Sequence, residues 1–262
     1  MTNKKFKLAA MSLATAVAVS TVGPSASAVT YQLEKGDVTV GQDDTGAYSY
    51  QNQTNGKTDN VYVDQDTQNN GQIIITQAEG TKTGNTVTVE EDVTNDKGKR
   101  DVDIILDGVN VDTSDTSTPT EVPADTKEDK TIIKVGEGAD VDLTVKDSNL
   151  TTGGNGIDIG VNLKDDDDNK ETNVDLTLDN TKINLTENAT AGINARDNSD
   201  VDITLKGDNT IDGSEAIDKV TEGGGHDISK DNVNIEGIRV GGEGASDSSD
   251  ASEGANTKLT IS

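Results

Sequence analysis

The chain has 262 residues, with 49 Asp+Glu against 22 Lys+Arg, no Cys, no Trp, one Phe, one His and 27 Gly. Lacking Cys, it has no disulfide scaffold and no thiolate metal site, and the single His226 rules out a His-rich zinc site. A net charge of −27 argues against nucleic acid as a partner, since phosphate binding needs basic surface; it favours cations, basic partners or plain solubility.

Residues 1–28 read as a secretory signal peptide. Lys4, Lys5 and Lys7 form its basic start, Leu8 to Val22 its apolar core, and Ala26-Ser27-Ala28 its small-residue cleavage site. The apolar stretch is too short and too rich in Ser and Thr for a membrane anchor. The expected product is secreted or displayed at the cell surface, with no membrane span in the mature chain. Export of a chain without cysteine suits a Gram-positive source.

Residues 29–99 hold all four tyrosines (Tyr31, Tyr48, Tyr50, Tyr62) and are rich in Gln, Asn and Thr. Strand candidates are DVTV at Asp37, VYV at Val61, QIIIT at Gln72 and NTVTV at Asn85. The segment reads as an N-terminal cap with first coils, since a stack of repeats must cover its strand edge.

From residue 100 to 262 one phrase recurs. It reads VDIILDGVNV at Val102, VDLTVKDSNL at Val141, VDLTLDNTKI at Val174 and VDITLKGDNTI at Val201, and TKLTIS at Thr257 looks like a fifth start. Within it the first, third and fifth residues are aliphatic and the second is Asp, the period-2 alternation of a half-buried strand. A polar turn follows (Asp107-Gly108, Asp147-Ser148, Asp179-Asn180, Gly207-Asp208), then one more inward aliphatic. Second short strands are TIIKV, IDIGV, AGINA and GIRV. The starts are too unevenly spaced for a strict solenoid code, but two strands and a third inward position per repeat predict coils of a single-stranded parallel β-helix. An all-β sandwich is the alternative, disfavoured by the scarcity of aromatics and hairpin turns. Segments 112–130, 220–233 and 245–255 read as surface excursions, with a helical turn near Ser214 to Val220. The coils look truncated at Ser262, so that end is expected to meet further coils or a partner.

The phrases DIILDGVNVD, IKVGEGADVDLTVKDSNL, GINARDNSDVDITLKGDNTI and GIRVGGEG resemble those of secreted β-helix carbohydrate-binding proteins of clostridia and gut Firmicutes. The resemblance covers most of the mature chain and implies a right-handed, pectate-lyase-like helix without catalytic residues. In one branch it also implies calcium-assisted binding of acidic polysaccharide such as polygalacturonate. That branch's calcium ligands are not matched position by position, and the coils that usually follow the GIRV-type phrase are missing.

The sharpest constellation is the second position of the phrase, Asp103, Asp142, Asp175 and Asp202. Stacked in register, these carboxylates would stand about 4.8 Å apart and repel by roughly 0.9 kcal/mol per adjacent pair in water-like dielectric. Bridging divalent cations would remove that cost, and oxygen-only ligands favour Ca²⁺; the plain alternative is a solvated, salt-screened face. Lys258 is read as the residue that ends this column. The run Asp165, Asp166, Asp167 and Asp168 is a second cation candidate, against the commoner reading of a solvated insertion. GGNGIDIG at Gly153 is only weakly like a calcium β-roll, and Asp64-Gln65-Asp66 lacks the rest of an EF-hand loop.

An enzyme is not expected. Paired acids are uninformative in so acidic a chain. Arg196 and Arg239, the basic residues a uronate lyase would want, are expected to pair with nearby Asp. His226 lies in a Gly-rich stretch. Sugar stacking needs exposed aromatics, and the coils beyond Tyr62 have none; Tyr48 and Tyr50 are expected to pack within the cap. The reading is therefore a non-catalytic binder of extracellular, uronate-rich polysaccharide assisted by calcium. Its rival is a passive surface or adhesin-like stalk, with an acidic lyase third.

Overall fold

The computed structural model describes residues 28–44, 46–53, 56–62, 72–93, 102–114, 130–164, 170–186, 189–214, 236–240 and 258–261. They are nearly all β, in three sheets whose strands are numbered along the chain. The first sheet has seven parallel strands in the order β1 (Val29–Gln32), β6 (Gln72–Thr76), β8 (Val102–Asp107), β11 (Asp140–Lys146), β14 (Thr172–Asp179), β17 (Ser199–Lys206) and β20 (Lys258–Ile261).

The second sheet runs β19 (Glu236–Val240), β16 (Ala191–Ala195), β13 (Ile157–Val161), β10 (Ile133–Gly136), β7 (Val87–Val89) and β2 (Val38–Asp43), all parallel. It then turns antiparallel into β3 (Gly46–Gln53), which is edged by β4 (Gly56–Lys57) and β5 (Val61–Tyr62). The third sheet is β18 (Thr210–Asp212), β15 (Lys182–Leu185), β12 (Asn149–Thr152) and β9 (Asn110–Asp112), also parallel. From β8 onward the chain visits first, third and second sheet in rotation. Such parallel ladders are incompatible with the antiparallel sheets of the sandwich alternative.

The alternation in the phrase explains the first sheet. Val102, Val141, Val174 and Val201 pair with one another in register and are all buried. So are Ile104, Leu143, Leu176 and Ile203, one inward step along. The single aliphatic after the turn proves to be the inward residue of a third strand: Val111, Leu150, Ile183 and Ile211 lie over one another. The core is thus built from stacked Ile, Leu and Val, each contributing about 1.5–3 kcal/mol on burial.

The corner between first and third sheets requires a left-handed residue. Gly108, Asp147, Asn180 and Gly207 occupy it, with φ of 66°, 48°, 51° and 66°; Gly, Asn and Asp carry the smallest penalty there. At two of the four corners the next residue closes the turn with a hydroxyl. Ser148 donates to the Lys146 carbonyl at 2.6 Å, and Thr181 donates to that of Val145 at 2.8 Å. In the coil with the extra residue, the Asn209 amide does this work, donating to the carbonyls of Leu178 and Lys206.

The last phrase corrects the sequence reading by two residues. Thr260, not Lys258, pairs with Asp202, while Lys258 pairs with Asp200. The alternation is unchanged: Leu259 takes the place assigned to the phrase's opening valine. Of the other expected elements, the signal peptide before Ala28, residues 115–129, 215–233 and 245–255 lie outside the described residues. Among the described residues no helix is long and apolar enough to cross a membrane.

Candidate functional site

Strand alternation sends the second residue of each phrase outward, and the register aligns them. Asp103 pairs with Asp142, Asp142 with Asp175 and Asp175 with Asp202, with Gln72 and Thr260 at the two ends. Neighbouring columns on this face are equally regular. On one side run Asp140, Asn173 and Asp200; on the other run Ile105, Thr144, Thr177 and Thr204. Beyond them Asp107, Lys146, Asp179 and Lys206 alternate in sign. Lys146 Nζ lies 2.9 Å from Asp107 Oδ2, and that hydrogen bond raises its pKa.

The aspartate ladder lines a concavity of about 530 Å³ together with Gln72 and the three threonines. A smaller one of about 210 Å³ lies against Asp140, Asn173 and Asp200. The face is therefore a shallow trough floored by carboxylates and walled by hydroxyls. Among the described residues no three acidic or His side chains converge to hold a metal ion. The ladder offers adjacent pairs of carboxylates, not a closed cage.

The acidic run Asp165 to Asp168 lies outside the described residues, but the residues flanking it are tied down. Buried Glu91 accepts the backbone N–H groups of Leu163 and Lys164 at 2.5 and 2.7 Å. On the other side the Lys170 ammonium meets Asp92 Oδ2 at 2.9 Å. This clasp had no signal in the sequence, since Glu91 and Leu163 lie 72 residues apart.

Arg196 pairs with an aspartate, as expected. It holds Asp158 through one edge of its guanidinium, Nε donating to Oδ1 at 3.0 Å and Nη2 to Oδ2 at 2.9 Å. Asn194 and Asn155 donate to the same carboxylate at 2.8 and 3.0 Å. Arg239 lies opposite Asn194, two positions from Arg196. His226 lies outside the described residues.

Tyr48 and Tyr50 are half-buried in the N-terminal segment. Only Tyr31 points into the core, where it bonds Ser49 at 3.1 Å. Tyr48 and Tyr50 stand on the outward face of β3 with ring centroids 6.3 Å apart and planes at 21°, and Tyr62 meets Tyr48 edge-on at 5.9 Å. The Tyr48 phenol donates to Glu90 Oε2 at 3.2 Å, and that of Tyr62 to Asp43 Oδ2 at 2.7 Å. Burial, then the Glu90 charge and hydrogen bond, push Tyr48 up to about 12. Burial also raises Tyr31. A raised folded-state pKa means stability is lost as pH climbs from 10 towards 12. An ultraviolet titration should therefore show late-ionising phenol, and Tyr48→Phe should remove part of that late step. Loss of the same fraction from the ordinary step near pH 10 would refute the Glu90 contact.

Comparison of the chain with protein-family models, curated proteins and solved structures finds no match. The likeness to carbohydrate-binding β-helices rests on the sequence phrases alone.

Proposed function

We propose that the chain is a right-handed parallel β-helix, secreted or held at the cell surface, that binds extracellular polysaccharide without catalysis on its aspartate face. The rotation of successive strands through three parallel sheets supports the helix, and parallel crossovers are overwhelmingly right-handed. The β2–β3 hairpin caps one end. At the other, Leu205, Val240 and Ile261 are 45 %, 40 % and 51 % exposed where the same columns are buried one coil earlier.

The observation carrying the function is the in-register ladder Asp103, Asp142, Asp175 and Asp202 lining a trough with threonine hydroxyls. Its donors are all oxygen, the set that Ca²⁺ prefers. Each adjacent pair carries a repulsion of roughly 0.9 kcal/mol, which a bridging cation would turn into attraction while leaving coordination positions for a uronate. A polysaccharide laid along the trough would meet carboxylates at a constant repeat. The rival, a passive stalk whose acids serve solubility, is favoured by the want of a three-carboxylate cluster among the described residues.

Retention on immobilised polygalacturonate, with and without chelator, separates the two: calcium-dependent retention supports binding, and none in either condition sinks it. Melting temperature gives a second measure. In low salt with chelator, Asp175→Asn relieves two adjacent repulsions and should raise the melting temperature by about 4–7 °C. The wild type should gain at least as much from millimolar calcium, and the variant much less. A wild-type melting temperature indifferent to calcium would remove the cation from the reading.

A further inference from the structure

The tyrosine cluster at the capped end is unlike any other part of the outer surface. Three of the chain's four tyrosines gather there, in a protein without Trp and with only 2 % aromatic residues. Elsewhere the outward columns of the first sheet are mostly Asp, Asn, Thr and Lys, with Ile105 among them. Tyr48 and Tyr50 are half-buried and Tyr62 is exposed, and two of the three phenols are hydrogen-bonded to carboxylates. Tyr62 is 46 % exposed, with its phenol anchored on Asp43. Tyr48 is anchored on Glu90 and lies across Gly41, where an added Cβ would sit 2.7 Å from the ring. A missing side chain below and hydrogen bonds at the rim make a pre-organised aromatic surface, the arrangement that lowers the entropic cost of binding.

Charge decides the occupant. Asp43 and Glu90 flank the rings, and the whole chain carries −27, so an anionic sugar is repelled from this spot. A cation already rests on the cluster: Lys57 Nζ sits 3.5 Å from the centre of the Tyr50 ring. The rings thus accept ammonium by cation–π attraction, and their faces suit the apolar C–H face of a pyranose.

We propose that Tyr48, Tyr50 and Tyr62, with Asp43 and Glu90, form a subsite for amine-bearing sugar, of the glucosamine class, distinct from the aspartate trough. The pyranose stacks on exposed ring, and its ammonium meets the two carboxylates. The site needs no metal and does not depend on the trough's function.

Because the protein lacks Trp, its intrinsic fluorescence comes from its four tyrosines, three of them in this cluster. Full-length protein carrying Asp175→Asn, in chelator and 150 mM salt, is titrated with glucosamine tetrasaccharide, its N-acetylated counterpart and galacturonate tetrasaccharide. Saturable quenching by the amine form is expected, with at least tenfold weaker response to the acetylated form and none to galacturonate. Tyr62→Ala leaves net charge unchanged and lies at the surface, so it should fold; it should weaken the amine form at least tenfold. Asp43→Asn should do so as well, with both melting temperatures near that of the parent. Equal affinity in Tyr62→Ala would reduce the effect to bulk charge attraction and overturn the proposal. Equal binding of the acetylated sugar would overturn the role of the carboxylates.

Discussion

Arg196→Ala is expected to lower the free energy of unfolding by about 3 kcal/mol, seen as a fall in the urea midpoint at unchanged slope. The reason lies in Asp158, which is only 3 % exposed on β13 although alternation alone would place it outward. Its carboxylate accepts both N–H groups of the Nε/Nη2 edge of the guanidinium, and two asparagine amides donate to it as well. Bidentate, charge-assisted contacts of this kind are the strong ones. Removing the arginine leaves a buried carboxylate with amides but without its guanidinium counter-charge. Lys134 stands opposite Asp158 in the ladder, which sets the expected loss at the low end of the 3–5 kcal/mol usual for breaking a buried pair. Arg196→Lys keeps the charge but not the fork and should recover part of the loss. Replacing both residues at once, Asp158→Leu with Arg196→Met, should cost less than Arg196→Ala alone, because no charge is then stranded. A loss below about 1 kcal/mol for Arg196→Ala would show that solvent, not the guanidinium, neutralises Asp158.

The same pair marks a boundary of what could be read from sequence. The valines at 102, 141, 174 and 201, the aspartates that follow them and the turns containing Gly108, Asp147, Asn180 and Gly207 were all legible; the left-handed backbone at one residue of each turn was not. Each legible feature is dictated locally, by a period of two or by the residue types that turns favour. The ladder of Asp103, Asp142, Asp175 and Asp202 follows from that periodicity once strands pair in register, so most of the candidate site was legible too. What else escaped depends on contacts between distant parts of the chain. Asp158 and Arg196 are 38 residues apart, and nothing in IDIGV distinguishes a buried aspartate from a solvated one. Glu91 reaches Leu163 across 72 residues. Tyr48 and Tyr50 alternate with inward Ala47, Ser49 and Gln51, so their outward direction was implicit in the pattern. Their gathering with Tyr62 required the return of β5 alongside β3, which the short VYV segment does not announce. The misplacement of Lys258 has the plainest cause: the last phrase opens on leucine, and without a following turn its frame was ambiguous.

Gly156→Ala is the second change expected to be severe, at about 3 kcal/mol, the upper part of the overpacking range. Ile157, Ile193 and Ile238 pair in register, so the residues before them, Gly156, Gly192 and Gly237, form a column of glycines. A Cβ on Gly156 would lie 2.5 Å from the Gly192 carbonyl oxygen and 2.8 Å from Ile183 Cγ2. Neither neighbour yields cheaply. The oxygen belongs to the adjoining strand, and the methyl belongs to a fully buried, β-branched side chain. Gly156 itself is held on both sides, its N–H bonding the Ala191 carbonyl and its carbonyl accepting from Ile133, each at 3.1 Å. Moving it aside breaks one ladder to relieve the other. Gly84→Ala is the control: its Cβ would meet only the Asp112 carbonyl oxygen at 3.5 Å, an ordinary contact, and the change should stay within about 0.5 kcal/mol. Calorimetry should separate the two variants by roughly 6–10 °C. Melting points that coincide would mean that β13 and β16 do not approach so closely. The in-register stacking that aligns the aspartates across the neighbouring sheet would then lose its strongest steric support, since the same coil-to-coil spacing sets both columns.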